Sequence, residues 1–456
     1  MGVLLLSRQL SGGAKIPHRK LTSEAAIVKM DIPDKVVIPM IQHIGAECEP
    51  TVKKGDAVEV GQLIGDTGKY VAAPIHSSVS GTVANVGQKL YPGGGSAMAV
   101  EIATDKRQAL HGSVQPHAFA GKKEFLALVR ESGLVGLGGA GFPAHVKLNP
   151  PEGAKIDCLI INGAECEPYI TSDYRFILEN ARSIVSGIKL VKEVAGIPKA
   201  FVGIEDNKPA AIELMREMAS DDPAIEVVSL KSLYPQGAEK MLIYSCTGRR
   251  VPPGKLPADA GAVVMNVNSV AALYEYIQTG RPLTTKIVTV SGNAVKRPMN
   301  LEIPIGAMLR DVFDYCGGFL GEPEKILMGG PMMGIAQYTL DVPVIKNTNA
   351  LLAFDRRDAE VRPETACIRC GKCVDNCPMR LLPLFINSAA LKRDVDRLRK
   401  YHAMDCIECG TCVYNCPAKR RIAQSARLAK ALVREADAKE REAEARAKAQ
   451  GAAAGA

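Results

Sequence analysis

The chain has 456 residues, of which 47% are hydrophobic and 5% aromatic, and its formal net charge is +8. This length predicts several domains, and so mild a charge gives no reason to expect a nucleic-acid partner. No apolar run approaches the roughly 18 residues of a membrane span, and VLLL near the N-terminus is too short for a signal-peptide core, so we expect an intracellular protein.

Short β-rich runs separated by glycine turns fill the first part of the chain. The stretch HIGAECEPTVKKGDAVEVGQLIGDT, followed by APIHSSVSGTV, predicts a small sandwich or barrel over residues 1–115. The pattern GDxVxxGQxI is similar to biotinyl and lipoyl carrier domains. Because no lysine stands in the MKM context that a carrier requires, we expect a structural domain.

A glycine-rich loop, GLVGLGGAGFPAHVKL, occupies residues 133–148. Gly136, Gly138 and Gly141 fit G-x-G-x-x-G, but a helical pattern precedes them where the Rossmann fingerprint requires a strand. A flexible surface loop is the simplest interpretation, yet such loops rarely carry an apolar pair such as Phe142–Pro143. Main chain without side chains lets a flat or phosphorylated ligand approach closely, so the loop is a candidate binding site.

From residue 157 onward, short apolar runs alternate with amphipathic stretches. DCLIIN, KAFVGIE, AIEVVSL and GAVVMNV predict strands, and the segments between them predict helices. This alternation predicts a Rossmann-like α/β domain with a parallel sheet over residues 116–284. Ligands bind beyond the carboxyl ends of the strands in such sheets. The hexapeptide GAECEP at residues 163–168 and Asn266 both lie at such ends.

The same hexapeptide also occurs at residues 45–50. The sequences that flank the two copies differ completely, so we interpret the identity as coincidence and not as an internal repeat. Cys48 in the first copy is expected to be a packed or surface thiol. Cys166 in the second copy is expected to lie beside the active site without a redox role.

Residues 285–350 predict a further unit, in which KIVTVSG and MNLEIPI form strands and GAMLRDVFDYCGG forms a helix that ends in glycine. We expect it to serve as a structural bridge between neighbouring units, and binding of a free small ligand is the alternative. At the other end of the chain, residues 427–456 predict a charged, solvated helix with ion pairs four residues apart. A frayed tail is its simplest interpretation, and a docking segment for a partner or an anionic membrane surface is the alternative.

Eight of the 13 cysteines fall in the two runs CIRCGKCVDNCP and CIECGTCVYNCP. Each run is C-x2-C-x2-C-x3-C-P, which holds [4Fe–4S] clusters in bacterial ferredoxins, the fourth cysteine ligating the other cluster. Zinc sites use C-x2-C pairs and not two complete runs closed by proline. Helical spacing of apolar residues between the runs predicts a helical, ferredoxin-type two-cluster domain over residues 351–426. We assign one cluster to Cys367, Cys370, Cys373 and Cys416, and the other to Cys377, Cys406, Cys409 and Cys412.

Several motifs together resemble a known family of redox proteins. GLxGxGGAGFPxxxK, N-x-x-E-x-E-P and the later N-V-x-S are similar to the NADH- and FMN-binding subunit of respiratory complex I. With the cysteine runs, IPHRK, YPQGAEKML and GGPMMG, nearly the whole chain resembles the C subunit of Rnf (Rsx) electron-transport complexes. The resemblance implies a multidomain α/β protein with an N-terminal barrel-sandwich (hammerhead) domain, an FMN- and NADH-binding domain, a β-grasp (SLBB) domain and the two-cluster domain.

The same resemblance implies the cofactors and their binding residues. Two [4Fe–4S] clusters, FMN and NAD(H) are expected. Phe142, Glu167 and Glu239 would face NADH. Departures from the complex I motifs are Leu137 for arginine, Ala164 for aspartate and His145 for glycine. The residues expected to bind FMN are Gly136, Gly138, Gly139, Gly141, Lys147, Asn162, Glu165, Asn266 and Ser269.

The function implied is that of a peripheral subunit of a ferredoxin:NAD+ oxidoreductase on the cytoplasmic side of the inner membrane. It would exchange hydride between NADH and FMN and pass single electrons through the clusters, while partner subunits transport Na+ or H+. Those partners would include a ferredoxin-like iron–sulfur subunit and integral-membrane subunits. Two alternatives are a cobalamin-reductase flavoprotein of bacterial microcompartments and, because of Leu137 and Ala164, a non-catalytic iron–sulfur wiring scaffold.

Overall fold

The computed structural model describes residues 10–454 of the chain and the side chains of residues 10–448. The VLLL segment therefore lies outside the described residues. Within the described part of the chain, no helix combines the length and the apolar character needed to cross a bilayer.

The first unit packs two small antiparallel sheets around an apolar core. One sheet has the order β2-β8-β7-β4 and the other β3-β5-β6. Alternate residues of the strands, among them Val36, Ile38, Val100 and Ile102, point into the core, as expected for sheets with one buried face. The strands of this part are β1 (Ile27–Lys29), β2 (Lys35–Pro39), β3 (Glu49–Pro50), β4 (Ala57–Val58), β5 (Leu63–Asp66), β6 (Ile75–His76), β7 (Gly81–Leu90) and β8 (Ser96–Thr104).

The second unit is a parallel sheet with helices on its faces. Its strands run in the order β11-β10-β9-β12, and every pairing is parallel. The strands predicted from DCLIIN, KAFVGIE, AIEVVSL and GAVVMNV all form, because three of them are apolar runs buried almost throughout and the fourth, the edge strand from AIEVVSL, is partly buried. The elements are α1 (Lys122–Glu131), α2 (Ala144–Lys147), β9 (Cys158–Gly163), α3 (Ser172–Ala195), β10 (Lys199–Glu205), α4 (Pro209–Met218), β11 (Ile225–Leu230), α5 (Glu239–Thr247), β12 (Ala262–Asn266) and α6 (Val267–Thr279).

The third unit is a mixed sheet in the order β1-β14-β13-β17-β15-β16. Strand β1 comes from the N-terminal part of the chain and pairs in parallel with β14, so the first and third units share a sheet. The strands and the helix predicted here are present. The elements are β13 (Thr285–Ser291), β14 (Met299–Pro304), α7 (Leu309–Tyr315), β15 (Lys325–Met328), β16 (Ile335–Gln337) and β17 (Ala350–Phe354).

The last unit is helical and carries both cysteine runs. Its helices are α8 (Arg356–Ala359), α9 (Lys372–Asp375), α10 (Pro383–Leu391), α11 (Val395–Lys400), α12 (Thr411–Tyr414) and α13 (Ile422–Ala454). Helix α13 begins before the predicted tail boundary at residue 427, and it is continuous across that boundary. Ala429 and Val433 are buried against α10, because they continue the apolar face that starts at Ile422 and Ala426.

An extended N-terminal segment, residues 10–25, connects three of the units. The Gly13 amide donates to the Asn376 carbonyl at 2.9 Å in the cysteine unit, and Ala14 pairs with Tyr234 in the parallel-sheet unit. The Asn300 side chain of the third unit donates to the Thr22 carbonyl at 2.9 Å. The units therefore pack around this segment.

Candidate active site and cluster centres

The order in which strands are added to the parallel sheet reverses between β9 and β12, which makes this position the switch point of the sheet. Along the chain the next two strands, β10 and β11, are added on one side of β9, and β12 is added on the other. A crevice opens at the carboxyl ends of the two strands at such a switch point, and ligands bind there. Asn162 at the end of β9 and Asn266 at the end of β12 are direct partners in the register. The sheet thus brings two predicted flavin-site residues together.

The glycine loop lies over this switch point. Leu137 anchors it, since its side chain is 3% exposed in the core and its amide donates to the Ser269 hydroxyl at 3.2 Å. Gly138 lies directly against Asn266, because a Cβ at Gly138 would be 2.7 Å from the Asn266 amide nitrogen. Gly138, Gly139 and Ala140 are exposed. The loop therefore presents bare main chain to solvent over the ends of the strands.

The first and third units hold the glycine loop in place through hydrogen bonds. The Ile44 amide donates to the Gly141 carbonyl at 3.2 Å, and the Asn347 side chain donates to the Gly139 carbonyl at 3.2 Å. Gly141 has a φ of +70°, which a side chain would strain, and its neighbour Phe142 is half-buried. Gly136 lies against the main chain of Phe142. These contacts fix the loop, which is not the flexible surface loop of the simplest interpretation.

A cation and a carboxylate meet below the loop. The Lys147 ammonium donates to Glu239 Oε1 at 2.8 Å and to the Val264 carbonyl of β12 at 3.3 Å. Both side chains of the pair are partly exposed, at 28% and 39%. Lys147 and Glu239, predicted for different ligands, therefore form one accessible ion pair.

Buried polar side chains connect the two asparagines to the second GAECEP copy. The Asn266 amide donates to Asp173 Oδ2 at 2.7 Å, and the Asp173 amide donates to Glu165 Oε1 at 2.7 Å. Asn162 donates to the Gly237 carbonyl at 2.8 Å. Burial raises the pKa of Glu165 to about 7 and also raises the pKa of Asp173. Glu165 is thus enclosed behind the site and does not face the crevice.

Glu167 contacts a loop of the third unit. Its carboxylate accepts hydrogen bonds from the amides of Met332 and Met333, both at 3.0 Å. Burial raises its pKa to about 7, and the two main-chain donors oppose that shift. The GGPMMG loop therefore covers the Glu167 carboxylate.

Residues that sequence reasoning missed support this region from behind. The Lys20 ammonium donates to the carbonyls of Glu165 and Glu167, each at 2.9 Å, and burial lowers its pKa. The Lys208 ammonium donates to the Ala164 carbonyl at 2.7 Å and to Glu205 at 3.0 Å. Lys20 belongs to the IPHRK motif, which was the available signal. No sequence motif pointed to Lys208 or Asp173.

Four cysteines of the second predicted cluster surround one cavity. Cys377, Cys406, Cys409 and Cys412 all line it, although Cys377 belongs to the first run and the other three to the second. The Leu381 amide donates to the Cys377 sulfur and the Glu408 amide to the Cys406 sulfur, both at 3.4 Å. The sulfurs that ligate an iron–sulfur cluster typically accept hydrogen bonds from main-chain amides of this kind.

The other four cysteines lie nearer the surface. Cys373 of the first run and Cys416 of the second pack in one small cluster of side chains, which also includes Cys412 of the other predicted set. The Arg369 amide donates to the Cys367 sulfur at 3.4 Å, and Cys367 and Cys370 are exposed. Among the described residues, no three His, Cys, Asp or Glu side chains converge on a point suited to one metal ion.

The buried cysteine set adjoins the parallel-sheet unit. The Tyr234 hydroxyl donates to the Cys409 carbonyl at 2.7 Å, and burial raises the pKa of that hydroxyl. Gly410 lies against the main chain of Met332. A Cβ added at Gly410 would be 3.0 Å from the Met332 carbonyl oxygen, which is a tight contact. The loop that covers Glu167 therefore also touches the cysteine loop.

The residues present fit both kinds of cofactor. Bare main chain over Gly138 to Ala140, the amide of Asn266 and the Lys147 ammonium together suit a flat ring that carries a phosphate. Four thiols around one cavity, each run closed by proline and supplied with main-chain donors, suit a cubane cluster. Leu137 and Ala164 are buried, so neither departure blocks the exposed part of the loop.

Comparison with known protein families assigns each unit. Residues 8–107 match the RnfC barrel sandwich hybrid domain, residues 129–275 the Nuo51 FMN-binding domain, residues 287–336 the SLBB domain and residues 359–417 a 4Fe-4S dicluster domain. The predicted fold class is confirmed, as are FMN and [4Fe–4S] clusters as cofactors. The individual binding residues and the domain boundaries stay predictions.

Two curated proteins are similar over almost their whole length. The C subunit of the proton-translocating ferredoxin:NAD(+) oxidoreductase complex of Clostridium ljungdahlii is 47% identical over 93% of each chain. The C subunit of the Na(+)-translocating ferredoxin:NAD(+) oxidoreductase complex of Acetobacterium woodii is 46% identical over 92% of this chain and 96% of that protein. Among solved structures, an NAD+-reducing [NiFe]-hydrogenase in the H2-reduced state aligns with a TM-score of 0.49 and 20% identity, over 68% of this chain and 63% of that chain. The identity to the two curated proteins shows that the chain belongs to the RnfC family, the C subunits of ion-translocating ferredoxin:NAD(+) oxidoreductase complexes.

Proposed function

We propose that this oxidoreductase subunit exchanges hydride between NADH and FMN at the glycine loop and passes single electrons through its two clusters. The observation that carries the proposal is the convergence of Gly138, Asn266 and the Lys147–Glu239 pair at the switch point of the sheet. Ligand sites of parallel sheets form at this position. The four-cysteine cavity adjoins the same unit through Tyr234.

FMN, when bound, takes electrons in pairs from NADH and gives them up singly, which a cubane cluster requires. The chain's own residues bind and orient the partners of that reaction. The exposed main chain of Gly138 and Gly139 allows a ring to approach, and Asn162, Asn266 and Ser269 fix the strand ends and the loop around it. Gly136 and Gly141 shape the turn of the loop.

The Lys147 ammonium and the Glu239 carboxylate lie at the mouth of the site. Because both are partly exposed, each can exchange its present partner for a ligand group at small desolvation cost. Lys147 is suited to an electronegative edge of the flavin, and Glu239 to a hydroxyl group of the dinucleotide. Phe142, half-buried within the loop, supplies an apolar face for stacking.

Glu165 and Glu167 act from behind the site. Glu165 receives the Asp173 amide and so supports the network that reaches Asn266. Glu167 holds the GGPMMG loop, which lies between the flavin unit and Gly410. We therefore infer that Glu167 positions this loop, and that it reaches NADH only after the loop moves.

We further propose that the chain works as a peripheral subunit at the cytoplasmic face of the inner membrane. The names of its relatives include a proton-translocating and a Na(+)-translocating complex. Coupling to either ion would reside in integral-membrane partner subunits, and a ferredoxin-like iron–sulfur subunit would exchange electrons with this chain. Membership of the RnfC family favours this function over a cobalamin reductase, and the fit of the loop to a flavin favours it over a wiring scaffold.

Removal of the Lys147 ammonium tests the proposed site. Lys147→Ala should weaken FMN binding on the order of tenfold, since a hydrogen bond from a charged donor contributes about 1.5–3 kcal/mol. Iron and sulfide content should stay at the wild-type level. The measurement is fluorescence titration of flavin-depleted protein with FMN, followed by a test of absorbance bleaching by NADH.

Lys199→Ala is the matched control. Lys199 forms a similarly exposed ion pair with Glu226 at 2.8 Å, but at the amino end of β10, which is the opposite edge of the sheet. It should bind FMN as the wild type does. Equal FMN affinity in the Lys147 and Lys199 variants, with an unchanged NADH response in both, would place the site elsewhere.

A further inference from the structure

The surface around the outer four-cysteine set differs from the rest of the molecule. We define the outer cluster face as Cys367, Cys370 and the four basic residues Arg369, Lys372, Lys419 and Arg421. All of these side chains are exposed, and residues 361–371 are exposed without interruption. Ile368, between the two cysteines, is 67% exposed although it is aliphatic.

Contacts between two segments gather these residues on one face. The Thr365 amide donates to the Ala418 carbonyl at 3.0 Å, and the Arg421 amide donates to Glu364 at 2.9 Å. Cys373 and Cys416 pack together between the same segments. The basic residues that follow Cys416 therefore lie beside those that follow Cys367.

The charge of this region is strongly one-sided. Residues 361–421 contain twelve Lys or Arg and six Asp or Glu, a net charge of +6, while the whole chain carries +8. Glu364 is engaged by Arg420 at 3.5 Å. Within the described residues, Arg369, Lys372, Lys419 and Arg421 form no ion pair. The outer cluster face thus presents four basic side chains without acidic side-chain partners around two exposed cysteines.

The inner cysteine set contrasts with it. Cys377 and Cys409 are only 9% and 8% exposed, and Tyr234 of the parallel-sheet unit bonds to the Cys409 carbonyl. One set thus borders the flavin unit, and the other opens to solvent. Electron transfer between proteins requires a close approach to a surface-exposed centre, and the outer set offers it through the exposed Cys367 and Cys370.

We propose that the outer cluster face is the docking surface for an acidic iron–sulfur protein. The inference rests on the proposed function and extends it by naming the surface and the charge of the partner. Cys367, Cys370, Cys373 and Cys416 would hold the cluster that exchanges one electron in each encounter, taking it from the reduced cluster of the partner or returning it in the reverse direction. Opposite charges accelerate such encounters and orient them.

An anionic membrane is the competing occupant of a basic surface. It would use the positive charge but has no use for exposed cysteines or for Ile368 at the centre of the face. A redox partner uses all three features, because charge steers it, the aliphatic side chain packs against it and the cluster receives the electron. The structure therefore favours the protein partner.

The test uses the holoprotein and an acidic two-[4Fe–4S] ferredoxin as the probe. Stopped-flow mixing gives the second-order rate of electron exchange at about 50 mM and about 300 mM salt. The wild-type rate should fall with salt. Arg369→Glu/Lys372→Glu should lower the low-salt rate on the order of tenfold, and Lys419→Glu/Arg421→Glu should do the same from the other segment.

Lys53→Glu/Lys54→Glu is the matched control, because both lysines lie on the surface of the first unit, away from the cysteine runs. It should react as the wild type does. Iron content and flavin bleaching by NADH, unchanged in all variants, separate a failed docking surface from a failed flavin site. Equal rates in the face variants and the control would overturn the proposal. So would loss of binding to phosphatidylglycerol vesicles in the face variants while their ferredoxin rates stay at the wild-type level.

Discussion

Gly138 is the residue at which the glycine loop comes closest to the sheet. An added methyl group would meet the Asn266 amide nitrogen at 2.7 Å, so Gly138→Ala must displace the loop or the asparagine. We expect a loss of about 1–3 kcal/mol in the free energy of unfolding, as for other overpacked sites, together with weaker FMN binding. Chemical denaturation and FMN titration measure the two effects. Gly112→Ala, where nothing lies within 4 Å, should change neither, and equal behaviour of the two variants would contradict the contact.

Glu167 makes stability depend on pH. Burial raises its pKa from 4.5 to about 7, so between these values the folded protein holds a proton that the unfolded chain has released. Stability contributed by the neutral acid is complete below pH 4.5 and is lost as the pH rises through about 7. Glu167→Gln cannot titrate and should flatten this decline. Burial also raises the pKa of Glu165 to about 7, so stability should decline still less with pH in the Glu165/Glu167 double variant.

Thermal unfolding of the holoprotein at several pH values between 4.5 and 7 measures the effect. Glu49→Gln is the control, because Glu49 occupies the equivalent place in the first GAECEP copy but is exposed. A decline with pH that is equally steep in the wild type and in the Glu167 and Glu165/Glu167 variants would refute the burial of a neutral acid.

Single residues differ in how far the sequence reveals them. The glycine loop, Asn162 and Asn266 were predictable, because each lies beside a strand or helix with a strong pattern. Lys20, by contrast, bonds to Glu165 across 145 positions of the chain, and Tyr234 reaches Cys409 across 175. Such contacts depend on how whole units pack, and no local pattern encodes that.

At the level of elements, we propose that the two cysteine runs exchange their last ligands. Cys377 of the first run lines the cavity of the second run's cysteines, so Cys377→Ser should release about half of the iron, from the inner cluster. Adding Cys406→Ser should release little more, since both residues hold the same cluster. Adding Cys373→Ser to Cys377→Ser should instead release nearly all of the iron, since the two residues would hold different clusters. Iron analysis with electron paramagnetic resonance of the reduced protein distinguishes these cases, and the reverse pattern would mean that each run holds its own cluster.

Helix α13 shows what element prediction misses. The sequence predicts a helix here, and the charge-rich composition suggests that it starts outside the folded unit. Ala429 and Val433 are nevertheless buried, and Lys430 bonds to Glu408 at 2.6 Å beside the second cysteine run. Alanine is compatible with both a surface and a tight helix interface, so composition alone did not separate the packed half of the helix from the exposed half.

Across the whole molecule, Lys346 ties three units together. It lies between β16 and β17 of the third unit, and its buried ammonium donates to the Pro74 carbonyl at 2.6 Å and to the Gly133 carbonyl at 2.7 Å. Lys346→Met leaves both carbonyls without this donor, which should cost about 1–3 kcal/mol for each group and loosen the start of the glycine loop. Limited proteolysis should then cut the loop faster. The exposed Lys54→Met should be cut as slowly as the wild type, and equal cutting of both variants would contradict the role of Lys346.

The order in which the cofactors accept electrons tests the account most directly. Anaerobically purified protein with its full iron, sulfide and flavin content should be titrated with NADH while the flavin and cluster absorbances are followed separately. The flavin band should bleach first, and the cluster absorbance should fall after it. Lys147→Ala should lose this response while its clusters stay intact. Iron-replete protein that contains no FMN, binds none when it is supplied, and does not respond to NADH would contradict the account.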